Sequence, residues 1–451
     1  MALELMQKVA RVLKKGLFHR RWLDFIFIWI CIRQFYSHFL TRSTESNFYQ
    51  AEEMLLNYQG GLIRRGLIGE LIFQVNRTGF TINIFDLNYL LGLTIWALII
   101  GWLYFETANG KWLDRFILLF SPVLIMFPLQ DPATFSRKEI FGLLFFIIIL
   151  NLYKKIRGKP ESKKNSLLIV SSIGLGILTL MHEANMLFIF PVICLLFLVL
   201  FDFTEIVREK RIPYRVLMIA SLPIIISALI VLQNPGNRQQ AEDICQSIAI
   251  YYSNQCDPLP QAIALLNIAS ERHNMVRNTM AQAWGNPTFY GSIVLTLLIV
   301  FAQTIAARDI VKLNTGIKKQ DLNGLTIVLC LIIYLPTIPL YIIAADVARW
   351  ISTASIVLVF TLLNQSFMLD LNQFGKSIKE YCREFHILPF TWRISLNQAN
   401  WMFFERTIKL FSMLFIPFLY MEHYPPSFLI FSSDTAILKL PFLELIAKSF
   451  N

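Results

Sequence analysis

Long apolar runs separated by short polar stretches set the layout of this chain. The runs lie at 23–40, 87–105, 116–129, 140–153, 167–181, 186–201, 216–233, 291–306, 324–344, 351–368 and 408–422. A helix that crosses bilayer hydrocarbon needs about 20 predominantly apolar residues. The pattern therefore predicts an all-α bundle of about eleven spans, one integral membrane domain over 1–451. Runs 116–129 and 140–153 are short and flank a polar turn, so both are expected to extend into it. A basic stretch (Lys14, Lys15, Arg20, Arg21) precedes the first run, but no small-residue cleavage site follows it. The first helix is read as retained. No internal repeat is visible.

Composition agrees with the pattern. The chain is 55% hydrophobic and 16% charged, against roughly 25% charged for a soluble domain. A net charge of +11 would suit a nucleic-acid binder. Here the Lys and Arg sit in short clusters between apolar runs, as in cytoplasmic membrane loops, and nucleic acid is set aside as a partner. The segment before the first helix is basic, which places the N-terminus inside. Alternation then puts inside the loops that hold Lys111 and Arg115; Lys154 to Lys164; Arg208 to Arg215; Arg308 to Lys319; and Lys376 to Arg393. Every one is basic, so the parity is consistent along the chain.

The stretches assigned outside differ in character. They are a first loop at 41–86, short turns at 130–139 and 182–185, a long loop at 234–290, Asp346–Arg349, and the tail from 423. Each mixes isolated charges of both signs with Gly, Pro and aromatic residues. Charge at membrane depth is costly and marks function by default. Of six cysteines, Cys245 and Cys256 share a soluble segment, the long outer loop. A disulfide between them suits an oxidising compartment; two free thiols are the other reading.

Four constellations follow. In the first loop, Phe48, Ala51, Met54 and Leu55 recur at helical spacing, which predicts an amphipathic helix on the membrane surface carrying Glu45, Tyr49, Glu52 and Glu53. A second short helix with glycines at both ends is expected over 60–69, carrying Arg64 and Arg65. Paired arginines on the outer face call for something negative, either phosphate held by the guanidinium fork or lipid headgroups reached by snorkelling. The second constellation is Asp131, Arg137, Lys138 and Glu139. It reads as an anion site balanced by its own acids, or as a structural ion-pair turn. The third is His182-Glu183 at a hairpin tip. It is a proton-transfer pair or a hydrogen-bonded structural one, and no further spacing completes a metal site. The fourth is Asp346 and Arg349, three apart at a helix end beside Trp350. These two pair with each other, or Arg349 faces a substrate anion. The loop at 234–290 adds Arg238, Arg272, His273, Arg277 and Trp284 in what reads as a small helical cap.

In layout the chain resembles the GT-C superfamily of membrane glycosyltransferases. The resemblance covers roughly 40–300 and rests on a long first outer loop with two juxtamembrane helices, on an acid followed four residues later by Tyr (Glu45, Tyr49, then Ala51), and on a second long outer loop at 234–290. Glu45 stands where Asp is commoner in those enzymes, and Glu52 and Glu53 are close enough to take its role. Arg64-Arg65-Gly66 and Arg137-Lys138-Glu139 also resemble motifs of uncharacterised bacterial envelope proteins. The resemblance implies an inner-membrane enzyme, active on the extracytoplasmic face, that moves a sugar from a polyprenyl-phosphate donor to a glycan or lipid acceptor. Glu45 would be the base. His182 and Glu183 would assist, and Arg64, Arg65, Arg137, Lys138 and Arg349 would hold phosphate. Metal dependence is left open, with a divalent cation as the candidate. An O-antigen or capsule-type polymerase or ligase fits the later loop, with Arg238, Arg272 and Arg277. A secondary transporter would instead show related halves and midplane acids, neither of which is evident.

Overall fold

Polar side chains at the ends of the apolar runs decide where the helices start, stop and turn. The computed structural model describes residues 20–43, 48–201, 214–251, 287–343, 347–384, 398–416, 419–421 and 428–430. In order, the elements are α1 (Arg20–Thr41), α2 (Phe48–Leu55), α3 (Leu67–Arg77), α4 (Ile84–Glu106), α5 (Trp112–Phe120), α6 (Met126–Gln130), α7 (Pro132–Phe135), α8 (Glu139–Ile156) and α9 (Glu161–Met181). They continue with α10 (Ala184–Leu200), α11 (Tyr214–Gln233), α12 (Arg238–Ala249), α13 (Pro287–Thr315), α14 (Lys319–Tyr334), a 3-10 turn, α15 (Ile338–Ile343), α16 (Val347–Leu363), α17 (Gln365–Glu384) and α18 (Gln398–Phe415). A small antiparallel pair, β1 (Leu419–Met421) and β2 (Phe428–Ile430), follows.

Local chemistry explains several boundaries. Asn83 caps α4 by accepting from the backbone N–H groups of Phe85 and Asp86. Asn237 caps α12 in the same way, accepting from Gln240. α8 has Glu139 in its first turn and Lys154 and Lys155 in its last, which matches the helix dipole at both ends.

The all-helical architecture holds, but the apolar runs do not translate one for one into spans. Among the described residues, five helices are long and apolar enough to cross a membrane, or six if one bent pair counts as a span. The remaining apolar helices are shorter, as with α10, or carry too much charge, as with α8. The run at 116–129 breaks at Ser121, whose hydroxyl accepts from the Val123 N–H, and resumes as the short helices α6 and α7. The run at 351–368 breaks at Asn364, where α17 turns away from α16 by 80°. The Asn364 side chain donates to the Leu150 carbonyl and accepts from the Phe367 N–H, so one residue ends α16, caps α17 and ties both to α8.

Among the described residues, Glu53, Arg65, Arg137, His182 and Arg349, from stretches assigned outside, meet at one end of the bundle, and charges at or near the described stretches assigned inside meet at the other. The second end is a lattice of ion pairs. Arg115 meets Asp24 at 2.6 Å, Arg308 meets Glu405 at 2.7 Å, and Arg157 meets Asp370 at 2.7 Å. Lys409 joins Asp114 and Asp309, binding α18 to α5 and α13.

At the first end, a small core separate from the main one holds Ala51, Met54 and Leu55 of α2, Ile72 of α3, and Ala241, Ile244 and Cys245 of α12. α2 is therefore packed into protein, whereas the sequence placed it on the lipid surface. Its apolar stripe found α3 and α12 instead of acyl chains. The second expected helix starts later than 60, at Leu67, which leaves Arg64 and Arg65 in the turn before it. Cys245 is buried and disulfide-bonded; Cys256 lies outside the described residues, as do Arg272, His273, Arg277 and Trp284.

Candidate functional site

Burial of the apolar face of α2 carries a carboxylate inward. Glu53 lies beside Met54 on this helix and is 1% exposed. Two arginines meet it: Arg65 Nη1 donates to Oε1 at 3.0 Å, and Arg137 Nη1 to Oε2 at 3.4 Å. The Arg137 guanidinium lies over the Tyr49 ring, 4.4 Å from its centre, a cation–π contact that orients it.

Arg65 is the centre of the cluster. Its Nε and Nη2 form a fork on Glu183, at 2.9 Å to Oε2 and 2.5 Å to Oε1, while Arg64 reaches the same carboxylate at 3.4 Å. Its backbone φ is 63°, a left-handed conformation that costs a side-chain-bearing residue energy and collects at functional sites. The Arg65 carbonyl accepts from Lys138 Nζ at 2.8 Å. Two carboxylates and a lysine thus hold the strained turn in place.

The third acid belongs to the other half of the cluster. Glu139, the first residue of α8, meets Arg349 Nη1 at 3.0 Å and His182 Nε2 at 3.4 Å. His182 also lies 3.9 Å from Glu53. Arg349 rests on the Trp350 ring at 4.1 Å, and Trp350 stacks on Phe188 of α10.

The irregular backbone of the turn before α8 has its own supports. Trp96 Nε1 donates to the Phe135 carbonyl at 2.7 Å, the His38 ring meets the Leu129 carbonyl at 2.8 Å, and Asn88 donates to the Ser136 hydroxyl at 2.8 Å. Such backbone is tolerated at depth only when protein satisfies it. The Asp131 carbonyl caps α7 by accepting from the Thr134 and Phe135 N–H groups.

Several expected pairings are replaced. Arg137 and Lys138 act electrostatically on Glu139, but the hydrogen bonds and close ion pairs run to other segments: Arg137 to Glu53, Lys138 to the Arg65 carbonyl, and Glu139 to Arg349 and His182. His182 and Glu183 point to different partners, because consecutive residues at a helix junction leave in different directions. Arg349 is turned to Glu139, and Asp346 lies outside the described residues. Glu45 also lies outside them. Glu53, only a competitor in the sequence, is the acid that the described part of α2 brings into the cluster. Its signal was its place four residues after Tyr49, on the same helix face. Arg238 pairs with Glu242 on an exposed face of α12. His38, Asn88 and Trp96 were missed; polar positions within apolar runs were the available signal.

Burial opposes charge on Glu53, but Arg137 and Arg65 outweigh it and hold its carboxyl well below the usual carboxylate range. Burial, with Arg65 nearby, pushes His182 down to about 4, so its ring is neutral at pH 7. Burial also lowers Lys138, to about 8, against the pull of Glu53. Among the described residues, no three His, Cys, Asp or Glu side chains converge as a metal site. The acids are engaged by arginines instead.

Fold and site together define a polytopic helical membrane protein with a buried, cation-rich cluster at one end. Residues 25–270 match the family described as "Uncharacterised membrane protein Rv1490", and the chain belongs to that family. No curated protein and no solved structure matches the chain.

Proposed function

We propose that this protein is a membrane glycosyltransferase that takes a sugar from a polyprenyl-phosphate donor and delivers it to an envelope glycan or lipid acceptor on the extracytoplasmic side. The observation that carries the reading is the charge balance of the cluster. Among the described residues joined by these ion pairs and hydrogen bonds, five cations (Arg64, Arg65, Arg137, Lys138 and Arg349) meet three carboxylates (Glu53, Glu139 and Glu183), so cations outnumber acids by two there. The carboxylates fix the guanidinium groups in position, and the surplus suits a phosphate entering sideways from the bilayer. Preorganised cations of this kind stabilise a departing phosphate. The described basic turn over 154–164 lies at the opposite end of the bundle from the cluster, which supports an outward-facing site.

Binding of undecaprenyl monophosphate to the purified protein in detergent tests the reading, together with mass-spectrometric profiles of lipid-linked and surface glycans in cells with and without the gene. Arg64→Gln, at the half-buried edge of the cluster, is expected to weaken binding about 10- to 100-fold, since a hydrogen bond to a charged group is worth about 1.5–3 kcal/mol. Deletion is expected to remove one defined glycan. Undecaprenyl monophosphate bound no better than phosphatidylethanolamine, with glycans unchanged in the deletion strain, overturns it.

The lysine gives the binding a pH signature. Lys138 is charged below about 8 and neutral above it, so phosphate affinity is expected to fall as pH rises through that value. Lys138→Met should flatten the step. A wild-type profile without a step between pH 7 and 9 would remove Lys138 from the phosphate site.

A further inference from the structure

We propose that the small cavity bounded by Glu139 receives the acceptor hydroxyl, and that Glu139 is the general base that takes its proton. This rests on the transferase reading above and assigns the second half of the reaction. The cavity holds about 20 Å³ and is lined by Glu139, Arg137 and Arg349 together with Thr134, Ser352 and Thr353. That volume admits one hydroxyl group or water, not a sugar ring. Trp96 and Ile356 supply apolar wall. The site therefore accepts the reacting end of an alcohol whose body lies elsewhere.

The three acids of the cluster differ in what their oxygens are doing. Both oxygens of Glu53 accept from arginines, as do both oxygens of Glu183. Glu139 is 3% exposed and lines the cavity; its Oε1 faces Arg349 and His182, and among the described residues neither oxygen is met in full hydrogen-bond geometry. Arg349 balances its charge at Oε1, and Oε2 is the oxygen available to an incoming O–H. A buried acceptor of this kind is costly to leave unmet and marks a place where a donor arrives. The hydroxyls of Thr134, Ser352 and Thr353 donate to the backbone carbonyls of Asp131, Leu124 and Arg349. What they present to the cavity is acceptor character, which suits an alcohol proton.

His182 completes the arrangement from behind. Its Nδ1 accepts the Ala184 N–H at 3.2 Å, which assigns the ring proton to Nε2, the nitrogen that faces Glu139. A neutral N–H there steadies the carboxylate without protonating it, so His182 is a positioning residue.

In the step itself, the acceptor O–H bond breaks and its proton passes to Glu139. The oxygen's electron pair forms the new bond to the sugar's anomeric carbon. The bond from that carbon to the phosphate oxygen breaks, its electron pair staying on the phosphate oxygen, whose charge the cations of the cluster balance.

The test compares Glu139→Gln, Glu139→Asp and Ser352→Val in the full chain, reading glycan product in cells and undecaprenyl monophosphate binding by the purified protein. Glu139→Gln is expected to cut product at least 100-fold, the scale of a lost general base, with lipid-phosphate binding changed much less, since Arg349 alone loses its carboxylate partner and the other four cations keep theirs. Glu139→Asp is expected to restore part of the product. Ser352→Val fills the cavity without touching the charges and is expected to lower product with binding unchanged, which keeps the proposal testable if Glu139→Gln fails to fold. Product at wild-type level in Glu139→Gln or Ser352→Val overturns the proposal and makes the cavity a water site. Loss of lipid binding and product together in a monodisperse Glu139→Gln protein also overturns it, in favour of a phosphate-organising role. In either case the loss of binding in Arg64→Gln still stands for the transferase reading, which fails separately if wild type binds no lipid phosphate.

Discussion

Glu53→Gln is expected to destabilise the protein by about 3–5 kcal/mol, the usual cost of removing one partner from a buried ion pair. The size follows from what is left behind. Arg65 and Arg137 both lose a carboxylate oxygen at a position that is 1% exposed, and Arg65 is also held in a left-handed backbone conformation that the pairing helps to maintain. Glutamine keeps the shape and can still accept, but it returns no charge. The denaturation midpoint of the detergent-purified protein measures the effect. Glu52→Gln on the neighbouring, less buried position is the control, expected to move the midpoint much less. Equal, small shifts in the two variants would mean that the cluster is not what holds α2 in place.

Acid should expose the same energy. The folded carboxyl of Glu53 lies below its unfolded value, so its contribution is complete above the ordinary glutamate range and is lost as pH falls through and below it. His182 acts in the same direction, since its folded value of about 4 lies under the unfolded value near 6.5. Wild type is therefore expected to lose stability steadily as pH drops from about 6.5, and the Gln variant to lose less over the acidic part.

Gly69→Ala is the second large effect. α3 crosses the chain just after α2 so closely that a Cβ at position 69 would overlap the Leu56 carbonyl oxygen and lie 2.7 Å from the Leu55 carbonyl carbon. Backbone cannot swing aside as a side-chain tip can, so α3 must lift. Overpacking of this sort costs about 1–3 kcal/mol, occasionally more. Function should suffer beyond that figure, because Glu70 of α3 accepts the Tyr58 N–H at 3.0 Å and the Arg64–Arg65 turn lies between these two anchors. A drop of tenfold or more in undecaprenyl monophosphate binding is expected alongside the loss of stability. Gly101→Ala is the matched control: in α4, a Cβ there meets nothing within 4 Å, and alanine should add about 0.5–1 kcal/mol through helix propensity. Wild-type binding in Gly69→Ala would show that the arginine turn does not depend on the α2–α3 crossing.

The identity of most site residues was readable because charge is scarce in this chain. Arg64, Arg65, Arg137, Lys138, Glu139, His182, Glu183 and Arg349 stood out against apolar surroundings before any fold was known, and the structure gathers them at one end. Their pairings were not readable. Local pairing was the natural expectation for Arg137 with Asp131, and for His182 with Glu183, since neighbours in sequence are the partners a single chain displays. The packed bundle offered stronger partners from other segments. Glu53 shows the same limit: Glu45 and Glu53 look alike along the chain, and only the packing of α2 against α3 and α12 set Glu53 between two guanidinium groups.

Hydrophobic periodicity and the placement of charge determined that the chain is helical, that it belongs in a membrane, and how its described charged stretches divide between two ends of the bundle. These are properties of single segments meeting solvent or lipid, and each segment carries its own answer. The tertiary structure decided where apolar runs break, as at Ser121 and Asn364, and which acid each arginine holds. Those outcomes turn on hydrogen bonds and ion pairs between residues far apart in sequence, and their energy exists only once the helices are packed.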